Sequence, residues 1–149
     1  MTARKATLLI LGGTGEALRL ARVAEGELGD RLRVIYSLAG STRNPAKAGG
    51  ETRVGGFGGV EGLAGYIRDY GVDFLIDATH PFSTQISEHS CLAAAATNTP
   101  RCVLTRALWQ AQAGDLWHEV ADMAAAAARV PGLGGRVFLS VGARSLDFF

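Results

Sequence analysis

Gly12, Gly13 and Gly15, with Thr14 between them and Glu16 behind, stand at the junction of an apolar run and an amphipathic one. Glycines at such a junction let the backbone turn tightly and approach a ligand with no Cβ in the way. A helix starting there aims its free N–H groups and the positive end of its dipole at the same point. That is chemistry for a phosphate, and a pyrophosphate is the natural occupant. The spacing from Gly12 is Gly-x-x-Gly-x-Ala, a relaxed dinucleotide pattern in which Ala17 lets the helix pack close to the strand. Gly-x-Gly-x-x-Gly itself fails, because counting from Gly13 puts Leu18 at the third glycine. The plain alternative is a turn whose glycines serve geometry only. A P-loop is excluded, since no Gly-x-x-x-x-Gly-Lys-Ser/Thr is present.

Three further segments carry polar or glycine chemistry. Where an NAD-preferring fold places an acid at the end of its second strand, this chain has Tyr36-Ser37, followed by Ser41, Thr42 and Arg43. Those are donors for a 2′-phosphate, with Arg43 suited to a bidentate grip, so NADP(H) is favoured over NAD(H). The alternative for Arg43 is a solvated loop cation. Gly55 to Gly59 surround Phe57, and Gly56, Phe57 and Gly58 are expected to wrap the cofactor, since four glycines are entropically costly for a simple turn. The alternative is a flexible turn, with Phe57 stacking on adenine in one case and plugging the core in the other. Asp77-Ala78-Thr79-His80-Pro81 closes a strand at nicotinamide depth. His80 could donate a hydrogen bond or proton, although a histidine before a helical proline also serves purely structural roles. Asp77 reads as a loop anchor rather than a base.

These loops need strands that end together. The chain predicts strands at Leu8 to Leu11, Arg33 to Leu38, Thr52 to Val54, Val72 to Asp77 and Arg101 to Thr105. Helices are expected at Glu16 to Leu28, with Leu18, Ala21 and Leu28 inward, at Val60 to Tyr70 before Gly71, and at Pro81 to Ala96 with the proline in its first turn. Alternation at this spacing means a Rossmann-like, doubly wound parallel α/β sheet, whose right-handed crossovers bring the loops after the strands to one edge. Residues 1–106 form that domain and 107–135 a connector, with a short strand at Trp117 to Val120 and a helix at Met123 to Val130. A strand at Arg136 to Val141 then opens a second α/β domain, 136–149. It breaks off at Phe149, leaving the apolar tail Leu-Asp-Phe-Phe with little chain to cover it.

Composition narrows the class. A chain of 149 residues can bury about two thirds of its unfolded surface, enough for one ordinary core. A net charge of +1 with no long single-sign run argues against nucleic acid and membrane surfaces as partners. No apolar stretch approaches the roughly 20 residues of a membrane span, and no leader pattern opens the chain, so a cytoplasmic protein is expected. Cys91 and Cys102 read as small buried apolar residues in a reducing compartment. His80, His89 and His118 lack metal-ligand spacing, so no metal is expected. The oligomeric state is left open.

Together, Gly-Gly-Thr-Gly-Glu-Ala at 12–17, Ser-Leu-Ala-Gly-Ser-Thr at 37–42, Gly-Gly-Phe-Gly-Gly at 55–59, Ile-Asp-Ala-Thr-His-Pro-Phe at 76–82 and Arg-Val-Phe-Leu-Ser-Val-Gly at 136–142 resemble the precorrin-6A reductases of cobalamin biosynthesis. The resemblance implies an NADPH-dependent reductase. It would deliver hydride to one double bond of the macrocycle, giving precorrin-6B or a cobalt-bearing equivalent, in a cleft between two Rossmann-like domains. It further implies a tetrapyrrole polycarboxylate as substrate, with Arg106 and Arg144 as candidate cations on the cleft side. The family often has Gly-Arg-Thr where this chain has Gly40-Ser41-Thr42-Arg43, so the arginine is displaced. No motif fixes a proton donor, and His80 is the only catalytic candidate. A dinucleotide-sensing domain without chemistry is the competing expectation. A short-chain dehydrogenase is not, because Tyr36, Tyr66 and Tyr70 are followed four residues later by Gly40, Tyr70 and Phe74 rather than lysine.

Overall fold

A computed structural model describes residues 4–40, 48–107 and 109–149, with the backbone alone at 143 and 144. The apolar run at the start becomes β1 (Ala6–Leu11), buried at every position after the first. Its burial follows from its place, the middle of a five-stranded sheet ordered β3-β2-β1-β4-β5. The partners are β2 (Leu32–Leu38), β3 (Glu51–Val54), β4 (Phe74–Asp77) and β5 (Arg101–Val103), and every pairing is parallel. Strand direction alternates side chains between two faces. Leu8, Ile10, Val34 and Tyr36 pack with Ala17, Ala21 and Ala24 of α1 (Gly15–Leu28). Leu9, Leu11, Ile35 and Leu75 pack on the other face, with Leu63, Ala64 and Ile67 of α2 (Gly59–Asp69) and Ala93 and Ala94 of α3 (Thr84–Thr97). The sheet is therefore the doubly wound parallel α/β sheet expected.

Several expectations need correction. Of the α1 residues expected inward, Ala21 is buried and Leu18 packs partly buried against the same cluster, but Leu28 at the helix end is 38% exposed; Ala17 and Ala24 complete the buried face, where the helix lies close to the sheet. Helix α3 begins at Thr84 rather than Pro81. Ser83 N–H donates to His80 O at 2.7 Å, so Pro81 sits second in a turn, where its fixed φ is favoured. Helix α2 ends at Asp69, and Gly71 adopts a left-handed φ of +58°. Cys91 and Cys102 are exposed, not buried. The buried stripe of α3 is Ser90, Ala93 and Ala94, which turns Cys91 outward. Cys102 lies on edge strand β5, which contributes no residue to the core on the α1 face.

Chain contacts divide the molecule into two units, one ending at Ala107 and one beginning at 108. Within the second, α4 (Met123–Arg129) is capped by Asp122, whose carboxylate accepts from Ala125 N–H at 2.8 Å. Short 3-10 helices follow at Val130–Gly132 and Ala143–Phe148. The strands expected at 117–120 and 136–141 are absent among the described residues. An apolar run becomes a strand only where a neighbour takes its backbone groups, and Phe138, in the middle of the second run, is 91% exposed.

Candidate functional site

The loops after β1, β2, β3 and β4 meet along the carboxyl edge of the sheet because the ladder continues beyond the strands. Gly12 N–H donates to Ser37 O, Ala78 N–H to Leu11 O and Gly55 N–H to Leu38 O, all at 2.8 or 2.9 Å. The order in which strands are added across the sheet reverses between β1 and β4, the switch point at which open α/β sheets bind ligands. Thr14 closes that point. As the N-cap of α1 its Oγ1 accepts from Ala17 N–H at 3.1 Å and donates to Ala78 O at 2.9 Å. Two glycines of the turn have different reasons to be glycine. A Cβ at Gly12 would meet the Tyr36 ring, whereas Gly13 has φ +126° and nothing within 4 Å of where a Cβ would be. The space over Gly13 is the kind a phosphate needs. Burial pushes the Tyr36 phenol up, against an interaction with the Gly13 backbone that lowers it.

Beside the turn lies a cavity of about 380 Å³, lined at one end by Gly12, Ser37, Leu38 and Ala39. Its other walls are Gly55 to Gly59 with Phe57, and Thr79, Ser83, Gln85, Ile86 and His89. Of the residues proposed from sequence it gathers Gly12, Ser37, Gly56, Phe57, Gly58 and Thr79. Gly13, Thr14, Gly15 and Glu16 belong to the adjoining turn and helix start. Ser41, Thr42 and Arg43 lie outside the described residues, as does the side chain of Arg144. Arg106 pairs with Glu16 through two contacts of 2.8 Å. The Arg106 guanidinium holds the Glu16 carboxyl below its ordinary value, and Glu16 raises Arg106 in turn.

His80 is exposed and is not among the cavity's lining residues. Its Nδ1 accepts from Phe82 N–H at 3.3 Å, an interaction within its own turn. His89, one helical position before buried Ser90, lines the cavity instead. Asp77 is the anchor of this loop. Its carboxylate accepts from Thr79 N–H at 3.2 Å, Thr79 Oγ1 at 2.7 Å, Ser87 Oγ at 2.5 Å and Arg101 at 2.7 Å. Burial alone would push the Asp77 carboxyl up, but the bonds from Ser87, Thr79 and Arg101 outweigh it and hold its pKa below the usual carboxylate value.

Arg53 and Arg101 were not anticipated from sequence, because a cation inside a short strand pattern gives no sign of what its head group meets. The one available signal for Arg53 was its place two residues before the glycine run. A second cavity, of about 460 Å³, opens among Arg4, Lys5, Arg33, Glu51 and Tyr70. Its cations are engaged by Asp73, by the carbonyl of Gly29 and by Glu51 respectively. Among the described residues no group of three or more His, Cys, Asp or Glu is placed to hold a metal, and no helix is long and apolar enough to cross a membrane.

Residues 7–149 match the family model described as precorrin-6x reductase CbiJ/CobK. The chain is 44% identical over 142 residues to the precorrin-6A reductase of Rhodococcus erythropolis, covering 95% of this chain and 56% of that protein. It is 47% identical over 143 residues to the precorrin-6A reductase of Rhodobacter capsulatus, covering 95% and 55%. A solved structure titled CobK precorrin-6A reductase superposes with a TM-score of 0.88 at 46% identity, over 97% of this chain and 56% of that one. The chain thus spans little more than half the length of these relatives.

Proposed function

Because this chain belongs to the precorrin-6x reductase family, we propose that it is the NADPH-binding part of a reductase that reduces one double bond of a corrin precursor. The reaction is precorrin-6A to precorrin-6B, or its cobalt-bearing counterpart, in cobalamin biosynthesis in the cytoplasm. The observation that carries this reading is the glycine turn at the switch point, open over Gly13 and closed against β4 by Thr14.

The residues present suit a dinucleotide. Backbone N–H groups at Gly13 to Glu16 would face the pyrophosphate at the start of α1, where the helix dipole favours negative charge. Ser37, Ser41, Thr42 and Arg43 would hold the 2′-phosphate, and Gly56, Phe57 and Gly58 the adenine end. Thr79, fixed by Asp77, and His80 stand on the loop assigned to the nicotinamide end. NADPH supplies the hydride when bound. Arg106 and Arg144 are proposed to meet carboxylates of the tetrapyrrole, for which Arg106 would exchange its Glu16 partner. Residues 107–135 are proposed as the connector to a second α/β domain opening at 136, a division supported by the greater length of the relatives.

Isothermal calorimetry of the chain with NADPH and NADH tests the cofactor reading. Binding of NADPH in preference to NADH is expected, and equal affinity for the two would remove the role given to Ser37 and Arg43. NADPH binding with no hydride transfer to precorrin-6A by a protein carrying the relatives' full length would leave a sensing domain as the better reading.

A further inference from the structure

Arg53 stands opposite Ser37 in the β2–β3 register. Its guanidinium donates to the carbonyl of Gly55, to that of Gly56 at 2.7 Å and to Ser37 Oγ at 3.4 Å. The same group lies 3.8 Å from the centre of the Phe57 ring and 5.2 Å from that of Tyr66. The two rings meet edge to face at 5.1 Å. Ser37, Gly55, Gly56 and Phe57 all line the 380 Å³ cavity.

The wall so fastened would otherwise be loose. Gly55, Gly58 and Gly59 have φ of +127°, +82° and +90°, conformations that glycine reaches freely and leaves as freely. A loop of this composition loses much conformational entropy when a ligand orders it, and affinity falls accordingly. One planar cation bridging two consecutive carbonyls and lying over the next side chain removes that freedom beforehand. Lysine cannot do this, having neither the fork nor the flat face.

We propose that Arg53 is a positioning residue that pre-forms the Gly55 to Gly59 wall for the adenine half of a dinucleotide, a claim that rests on the NADPH reading above. Three of its N–H contacts go to loop carbonyls and Ser37 rather than outward, so its effect extends to every adenine-bearing ligand, with or without a 2′-phosphate.

The test compares the wild-type chain with Arg53→Met and Arg53→Lys. Calorimetry uses NADPH, NADH and reduced nicotinamide mononucleotide, which lacks the adenine half; amide hydrogen exchange follows 55–59 without ligand. Arg53→Met should weaken NADPH and NADH by the same factor, about 10- to 100-fold, leave the mononucleotide unchanged and speed exchange across 55–59. Arg53→Lys should fail to restore either. Loss confined to NADPH would overturn the proposal and make Arg53 a 2′-phosphate ligand, as would unchanged exchange in the loop. If the wild-type chain binds no dinucleotide, the NADPH reading fails, and the exchange rates still decide whether Arg53 holds the loop.

Discussion

A Cβ at Gly12 would stand 2.2 Å from Cε2 of Tyr36, so the first glycine of the turn is demanded by a tyrosine ring of the neighbouring strand rather than by a ligand. Gly12→Ala should therefore destabilise the fold by about 1–3 kcal/mol through overpacking, read as a lower urea midpoint. In a Tyr36→Leu background the same substitution should cost much less. Equal costs in both backgrounds would mean that the two positions are not coupled.

Gly13 gives the opposite result. Its φ of +126° strains any other residue, by about 1–2 kcal/mol, yet the space around it is open. Gly13→Val should leave the urea transition cooperative and only modestly shifted while abolishing NADPH binding. Retained affinity would remove the phosphate from this turn.

The opening strand, glycine turn and helix were legible because each level of pattern agrees: Leu8 to Leu11 is continuously apolar, and glycines punctuate it where the chain must turn. Asp77 was legible as an anchor because it ends a buried strand. Alanine-rich α3 was harder. Its inward stripe of Ser90, Ala93 and Ala94 has almost no hydrophobic contrast with Cys91 and Leu92, so periodicity could not tell which face is buried. Pro81 fits both a helix start and a turn, and only the hydrogen bond from Ser83 to His80 distinguishes them. Arg53 and Arg101 act through long side chains that reach across elements, which local sequence does not encode. The run at 136–141 has a strand's composition, but pairing is a property of neighbours.

Asp77 joins stability to pH. Removing its charge leaves Arg101, whose side chain is 17% exposed, without a counter-ion, so Asp77→Asn should cost about 1–3 kcal/mol at neutral pH. The folded carboxyl titrates below its unfolded value, so its contribution is complete above the ordinary carboxylate pKa of about 4 and fades as pH falls through the folded one. Urea denaturation across pH should show the gap between wild type and variant narrowing below about pH 4. A gap that stays constant would mean that the charge on Asp77 does not matter.

Arg43→Ala should narrow the preference for NADPH over NADH by roughly 1–3 kcal/mol, the scale of a charged hydrogen bond. Parallel titrations with the two nucleotides measure it. An unchanged ratio would pass the discrimination to Ser37 or Ser41.

The most direct measurement is a backbone amide shift map of the chain during titration with NADPH. Shifts at Gly13 to Glu16, Ser37 to Ala39 and Gly55 to Gly59 are expected, joined by Thr79. Shifts confined to Arg4, Lys5, Arg33 and Tyr70 around the second cavity, with the glycine turn silent, would contradict a dinucleotide bound at the carboxyl edge of the sheet.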